Sequence, residues 1–223
     1  MFERMGSKLK IIFVCTRSIT FNTFLKSQKE FFTKKGFVVE VACSDIKNVK
    51  IKNNFQHKIN FPCKVLDLFN LINYINIFIQ IKKLIKKNKS AIFYLHTPVA
   101  SHLFRLFTFF NKLKIIYFVH GFRFTSKTNS LKSFLFKIIE KILSFNTNIL
   151  ITINNEDYKY AKFSLFKKSL CYKINGVGLN HTNNQFFKRL KKKKNIKKIL
   201  VIAAFKKEKG YFDILKVASD LRN

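Results

Sequence analysis

Polar groups that could contact a ligand occur in three short segments, each directly after an apolar run. These segments are TRS at 16–18, HTP at 96–98 and HGFR at 120–123. Hydroxyls, backbone amides and guanidinium groups can face a phosphate, and an imidazole can gain or lose a proton near neutral pH. Because connecting loops are polar in any fold, the segments indicate a binding site only if the fold brings them together.

The rest of the chain alternates between strand-like and helix-like patterns. Residues 10–15 (KIIFVC) form a continuous apolar run, which is typical of a strand covered on both faces of a parallel sheet. A helical pattern over 21–35 ends at Gly36, and 37–43 (FVVEVAC) predicts a second strand. Further strands are predicted at 91–95, 114–119, 148–153 and 170–174, and helices at 68–87, 99–110, 131–145 and 156–166.

This alternation predicts an α/β fold, namely a Rossmann-like, doubly wound parallel sheet with right-handed crossovers. Ligands of such sheets bind at the carboxyl ends of the strands, where the three polar segments fall. Thr97 is predicted to cap the helix that Pro98 opens. Residues 155–157 (NED) are interpreted as a helix start with acidic groups near the positive end of the dipole, and a paired-carboxylate acid/base site is the weaker interpretation.

Composition changes divide the chain into three parts. Residues 8–184 are predicted to form the first domain, and 185–198 (QFFKRLKKKKNIKK) form a basic stretch without apolar periodicity that is typical of a linker. Residues 199–223 begin with a strand-like run, ILVIAAF, followed by a helical pattern. They predict the first β-α of a second Rossmann-like domain.

The charge is strongly positive, with 44 Lys and Arg against 11 Asp and Glu and a formal net charge of +33. Such a field attracts phosphate-rich partners, including nucleic acid, anionic lipid and nucleotide sugars. A biased base composition that over-uses Lys, Asn, Ile and Phe would also produce it, leaving much of the charge as solvated surface. A hydrophobic content of 48% excludes a disordered chain. The four cysteines show neither zinc-ligand nor disulfide spacing, so reduced, mostly buried thiols are expected.

The most hydrophobic longer stretch, 68–85, is interrupted by Asn, Gln and Lys, unlike a membrane-spanning helix. It predicts a helix packed on a sheet, or one that docks at a membrane interface where its Lys-rich end meets lipid phosphates. The apolar run at 11–15 is too short for a signal peptide. We therefore expect a cytoplasmic protein, attached peripherally at the cytoplasmic face of the inner membrane.

Four segments together resemble successive motifs of the amino-terminal domain of family 4 glycosyltransferases. They are YLHTPVASHLFR (94–105), IIYFVHGFRF (115–124), ITINNEDYKYAKFSLFK (151–167) and KINGVGLN (173–180), in the family's order and spacing. The resemblance implies one half of a GT-B fold, in which two Rossmann-like domains face a cleft. It further implies a retaining transfer from a nucleotide sugar, a UDP-sugar, in capsule, exopolysaccharide or lipid-linked glycan synthesis, without a metal or other cofactor.

The resemblance also assigns candidate site residues. His120 is the catalytic candidate, since the family's His-Gly element lies at the cleft; the competing interpretation is that His120 only pins its loop. Lys209 in FKKEKG is the candidate for the donor phosphate. Candidates for binding the acceptor, a polyprenyl-diphosphate-linked lipid or a glycan, are Thr16, Arg17, Ser18, His96, Gly121 and Arg123.

Two departures from the family pattern limit this assignment. Ala203 and Ala204 stand where the family has Gly and an Arg or Glu, and the chain ends at Asn223, before the glutamate-containing donor motif. The chain alone is therefore expected to be inactive, as a fragment, a pseudogene product or half of a split enzyme whose donor domain is a separate polypeptide. The alternative is a basic, non-enzymatic module that binds nucleic acid or anionic membrane; no RNA- or DNA-binding motif supports nucleic acid as the partner.

Overall fold

The computed structural model describes residues 9–52, 55–63, 70–122, 124, 131–166, 168–176, 200–203, 205 and 209–220. The chain divides into two compact units, Met1–Asn180 and His181–Asn223.

The first unit is built on a seven-stranded sheet in which all neighbouring strands are parallel. The strand order is β3-β2-β1-β4-β5-β6-β7, so the chain changes direction across the sheet between β1 and β4. The predicted Rossmann-like, doubly wound fold is confirmed. The strands are β1 (Lys10–Val14), β2 (Val38–Cys43), β3 (Gln56–Lys58), β4 (Ile92–Leu95), β5 (Lys114–Val119), β6 (Ile149–Thr152) and β7 (Leu170–Lys173).

α-Helices connect most consecutive strands, since parallel strands need crossover connections. The described connection between β2 and β3 instead contains a 3₁₀ helix at Ile46–Asn48. Helix α1 (Ser18–Thr20) continues through a π-helical turn at Phe21–Leu25 into α2 (Lys26–Lys34). The first unit also contains α3 (Leu71–Lys87), α4 (Pro98–Phe107), α5 (Leu131–Ser144) and α6 (Asn155–Tyr160), which runs into a second π-helical turn at Ala161–Leu165. None of the described helices has the length and apolar character needed to cross a bilayer.

Two apolar layers form the core, one on each face of the sheet. Alternate residues of β1 point to opposite faces, so Ile12 and Val14 pack with α3 and α4, while Ile11 and Phe13 pack against the segment from α1 to α2. Both faces of β1 are thus buried, which explains its uninterrupted apolar sequence.

Most predicted elements are present within a few residues of their expected bounds. The sequence did not predict β3, because this three-residue edge strand, Gln56–Lys58, is polar and carries no apolar run. The expectation of mostly buried thiols holds for Cys15 and Cys43, whereas Cys63 is exposed and Cys171 is half-buried; no disulfide links these four described cysteines.

The second unit contains helix α7 (Tyr211–Asp220), close to the predicted helix. Its described residues 200–203 are not assigned to a strand, although 199–205 was expected to form one. Strand assignment requires hydrogen bonds to a neighbouring strand, and the described residues of this unit include none. The predicted linker 185–198 lies outside the described residues.

Candidate functional site

The first two polar segments meet where the sheet changes direction. Thr16 follows β1 and Thr97 follows β4, and these strands are hydrogen-bonded neighbours. The Thr16 amide donates to Thr97 Oγ1 at 3.0 Å, and the two hydroxyl oxygens lie 2.7 Å apart. Crevices at such crossing points bind ligands in open α/β sheets.

Contrary to the prediction from the sequence, Thr97 does not cap α4. It occupies the N-cap position before Pro98, but its hydroxyl makes no hydrogen bond to the helix because it bonds Thr16 instead. Its φ is +65°, an unfavourable value for a β-branched residue. The backbone at this turn is therefore held in a strained conformation, a feature that is frequent at functional sites.

The second and third polar segments meet through two imidazoles. His96 follows β4, His120 follows the neighbouring β5, and His96 Nδ1 lies 3.3 Å from His120 Nε2. The His96 ring is fully buried and stacks on Phe13, with centroids 5.7 Å apart and planes within 4°. His120 is half-buried at the edge of the sheet, with Phe118 against it.

Burial keeps both imidazoles neutral. It lowers the pKa of His96 well below its usual value, and the nearby His120 lowers that pKa further. Burial also lowers the pKa of His120. A neutral pair can share one N–H···N hydrogen bond, whereas two protonated rings at this distance would repel each other.

The hydrogen-bond partners assign the tautomers. Within the described part of the chain, His96 Nε2 is buried and has no hydrogen-bond partner. A buried N–H without an acceptor is rarer than an acceptor without a donor, so we assign the His96 proton to Nδ1, which donates to His120 Nε2. The proton of neutral His120 then lies on Nδ1 as a second donor.

The backbone after His120 is fixed by the start of α6. Gly121 has a φ of +127°, which favours glycine, and the Phe122 amide donates to Asp157 Oδ2 at 3.3 Å. Asn154 caps α6 by accepting from the Asp157 amide, as expected of a helix start near 155–157. Arg123, a predicted phosphate contact, lies outside the described residues.

The donors of Ser18 already have an acceptor within the chain. Asp45 accepts from the Ser18 amide at 2.6 Å and from its hydroxyl at 2.8 Å, and Arg17 Nε lies 3.9 Å from the same carboxylate. Burial would raise the pKa of Asp45, but the bonds from Ser18 lower it overall. Asp45, which no sequence pattern indicated, thus accepts from the amide and hydroxyl that Ser18 was expected to offer a phosphate.

Phe24 is a second residue that the sequence analysis did not single out. The π-helical turn at Phe21–Leu25 places its ring 6.4 Å from the His120 ring. It remains about half exposed, so it is an apolar wall beside His120. An amphipathic pattern alone does not reveal a π turn, and such turns are frequent at functional sites.

Lys209 belongs to the second unit, where it is exposed. Among the described residues, no three His, Cys, Asp or Glu side chains converge as a metal site would require. The Thr16, Ser18 and Phe122 amides already have acceptors within the chain. The half-buried His120 imidazole is therefore the described polar group of this site that we assign to ligand contact.

A separate polar cluster is buried between α4, α5 and β5. Arg105 Nη2 lies 2.8 Å from Glu140 Oε2, while His102 Nε2 and the Tyr117 hydroxyl lie 2.8 and 3.1 Å from Glu140 Oε1. Burial would raise the pKa of Glu140, but the Arg105 charge and the His102 hydrogen bond lower that pKa to about 2. Arg105 and Glu140 are buried and paired, while the His102 side chain is 17% exposed, and the cluster joins the helices to the sheet.

Two solved structures share the fold. Sucrose-phosphate synthase from Thermosynechococcus elongatus superposes with a TM-score of 0.57 and 10% identity, covering 75% of this chain and 48% of that one. UDP-N-acetylglucosamine 2-epimerase from Rickettsia bellii gives a TM-score of 0.54 and 13% identity, covering 75% and 44%. At these identities the likeness concerns the fold alone.

Curated relatives are more similar in sequence. "Putative glycosyltransferase EpsD" of Bacillus subtilis (strain 168) is 31% identical over 176 residues, covering 77% of this chain and 44% of that protein. "Uncharacterized 41.2 kDa protein in cps region" of Klebsiella pneumoniae is 30% identical over 164 residues, covering 67% and 45%. The chain spans less than half the length of these two relatives.

The family described as "Glycosyl transferase 4-like" matches residues 10–154, which is more than half of the chain and includes all three polar segments. This chain belongs to the glycosyl transferase 4-like family.

Proposed function

We propose that this chain is the acceptor-side part of a retaining glycosyltransferase of bacterial surface-glycan synthesis. The enzyme transfers a sugar from a nucleotide sugar, a UDP-sugar, to a polyprenyl-diphosphate-linked or glycan acceptor. Membership of the family supports sugar transfer, and the relative from a cps region supports capsule or exopolysaccharide synthesis. The reaction takes place at the cytoplasmic face of the membrane.

The observation that carries the proposal is the neutral His96–His120 pair at the carboxyl edge of the sheet. In this role His120 Nδ1–H donates a hydrogen bond to a sugar or acceptor oxygen, and His96 orients the ring. Holding an acceptor hydroxyl close to the anomeric carbon lowers the barrier through proximity. The negative charge that develops on the departing nucleoside diphosphate is met by basic groups, for which Lys209 is the candidate, whereas Arg123 is a candidate for binding the acceptor.

The test is transfer of labelled sugar in a completed enzyme. Residues 1–180 replace the aligned part of EpsD, and the chimera is incubated with polyprenyl-diphosphate-linked N-acetylglucosamine and each of several radiolabelled UDP-sugars. We expect label in the lipid-extractable product with at least one donor, and none with this chain alone. A folded chimera that transfers no sugar from any donor would contradict the proposal.

A salt-dependent gel shift with RNA tests the alternative function, a basic, non-enzymatic module that binds nucleic acid. Tight RNA binding at physiological ionic strength, together with an inactive chimera, would favour the basic binding module.

A further inference from the structure

The outward face of α5 carries a row of large apolar side chains. Leu131, Phe134, Leu135, Ile138 and Ile142 are between 39% and 74% exposed. Their spacing of three and four residues places them on one side of the helix, opposite the buried Glu140 and Leu143. A helix of a soluble domain normally presents polar side chains on this face.

The outward face of α3 has two halves. Leu71, Ile72 and Ile75 in the first turns are 61% to 78% exposed, while Lys83 and Lys86 near the end of the helix are also exposed. At 100° per residue these five side chains lie on the same side, away from the buried Ile77 and Ile81. The face is therefore apolar at its amino-terminal half and basic at its carboxyl-terminal half.

Both helices lie in the same layer, on one face of the sheet, with α4 between them. They also begin at the edge where His120 lies. The Asn73 side chain of α3 donates to the carbonyl of Asn60, just beyond the end of β3, at 3.1 Å. Phe136 of α5 lines a small cavity together with Gly121 and Phe122. The exposed apolar residues of both helix starts are thus near the carboxyl edge of the sheet.

The charge of the chain selects among possible occupants of this surface. A second copy would bring another net charge of +33, which opposes self-association. Nucleic acid would neutralise the lysines but would leave the apolar side chains of α3 and α5 without a partner. An anionic bilayer satisfies both groups, since acyl chains receive the apolar residues and lipid phosphates meet the lysines.

We propose that the amino-terminal turns of α3 and the outward face of α5 form a membrane-docking surface for anionic lipid. Leu71, Ile72 and Ile75, with Phe134, Leu135 and Ile138, enter the headgroup boundary, and Lys83 and Lys86 contact phosphates. The helices lie along the interface rather than across it, and the carboxyl edge of the sheet is brought next to the bilayer. Docking in this orientation delivers a lipid-linked acceptor to His120, and this consequence alone rests on the proposed function.

The experiment measures flotation of the full chain with vesicles. One set contains phosphatidylglycerol and phosphatidylethanolamine, and the other contains phosphatidylcholine alone. We expect binding to the anionic set that weakens with salt. The variants Ile72→Gln/Ile75→Gln in α3 and Phe134→Gln/Leu135→Gln/Ile138→Gln in α5 should each weaken it at least about tenfold, because every buried methylene contributes to binding.

Matched controls distinguish binding by this surface from nonspecific hydrophobic adsorption and from the effect of net charge. Phe31→Gln/Leu170→Thr removes two exposed apolar side chains elsewhere, from α2 and β7, and should leave vesicle binding unchanged. Lys83→Glu/Lys86→Glu should weaken binding to anionic vesicles, whereas Lys26→Glu/Lys34→Glu on α2, with the same change in net charge, should weaken it much less. Circular dichroism confirms that each variant is folded.

Three outcomes would overturn the proposal: no binding of the wild-type chain to anionic vesicles, equal losses in the surface variants and their matched controls, or a dimer that the α3 and α5 variants dissociate. The assay contains neither nucleotide sugar nor acceptor, so vesicle binding can succeed where sugar transfer fails. The two proposals therefore fail independently.

Discussion

His96 and His120 differ in burial, and the difference gives each imidazole a separate part in the proposed site. The enclosed His96 can only orient its neighbour, while the half-buried His120 can touch a ligand. We expect His120→Ala in the chimera to lower the transfer rate by about 10²- to 10³-fold, the usual cost of removing one preorganised donor. His120→Asn, whose amide nitrogen approximates Nδ1, should retain more activity; an Asn variant no better than Ala would contradict the assigned tautomer.

Glu140 is the residue on which the buried polar cluster depends. Replacing it by Gln leaves the fully buried Arg105 without a charged partner, which costs about 3–5 kcal/mol of unfolding free energy. Urea denaturation of the chain measures this loss. Glu30→Gln on the exposed side of α2 is the control and should change stability by less than about 0.5 kcal/mol.

The free energy of unfolding should decrease in two steps as the pH is lowered. The lowered pKa values of His96 and His120 mean that the unfolded chain binds more protons as pH drops below the usual histidine pKa of about 6.5, so stability declines there. Glu140, with a pKa of about 2, contributes stability that is complete above its usual pKa of about 4.3 and is lost toward pH 2. In the variant His96→Phe/His120→Asn, the urea midpoint should decrease less over the first step than in the wild type. An unchanged decrease would contradict the attribution of this step to the two histidines.

The segment from α1 to α2 is held at its start by a residue from outside the helix. Asp45 accepts from Ser18 and follows β2, so it ties the helix to the neighbouring strand. Asp45→Ala should destabilise the chain by about 1–2 kcal/mol, as loss of a cap does, and should speed hydrogen exchange at amides 18–25. Asp45→Asn keeps an acceptor and should lose less; equal exchange in the wild type and the Ala variant would show that Asp45 does not hold the helix.

The sequence predicts the strands and helices more fully than it predicts the contacts within the candidate site. Apolar runs such as that of β1 predict buried parallel strands because both faces are covered. Alternation predicts that His96 and His120 both follow strands at the carboxyl edge, but their contact depends on the strand order, in which β4 and β5 are neighbours. The hydrogen-bond partners do not follow: Asp45 and Glu140 have the sequence context of ordinary surface carboxylates, and only the packing of distant elements brings them to Ser18 and Arg105.

The net charge of +33 acts on the whole chain rather than on one site. Repulsion among the lysines is stronger in the compact state than in the unfolded chain, so it opposes folding. Raising the ionic strength from about 0.01 M to about 0.1 M shortens the Debye length from about 30 to about 10 Å and weakens this repulsion. We expect the urea midpoint to rise over this range with sodium chloride and with potassium chloride. When either salt is replaced by an equal osmolarity of glycine, the midpoint should not rise. A midpoint that falls with salt would show that attraction within ion pairs, such as that of Lys10 and Glu40, outweighs the repulsion.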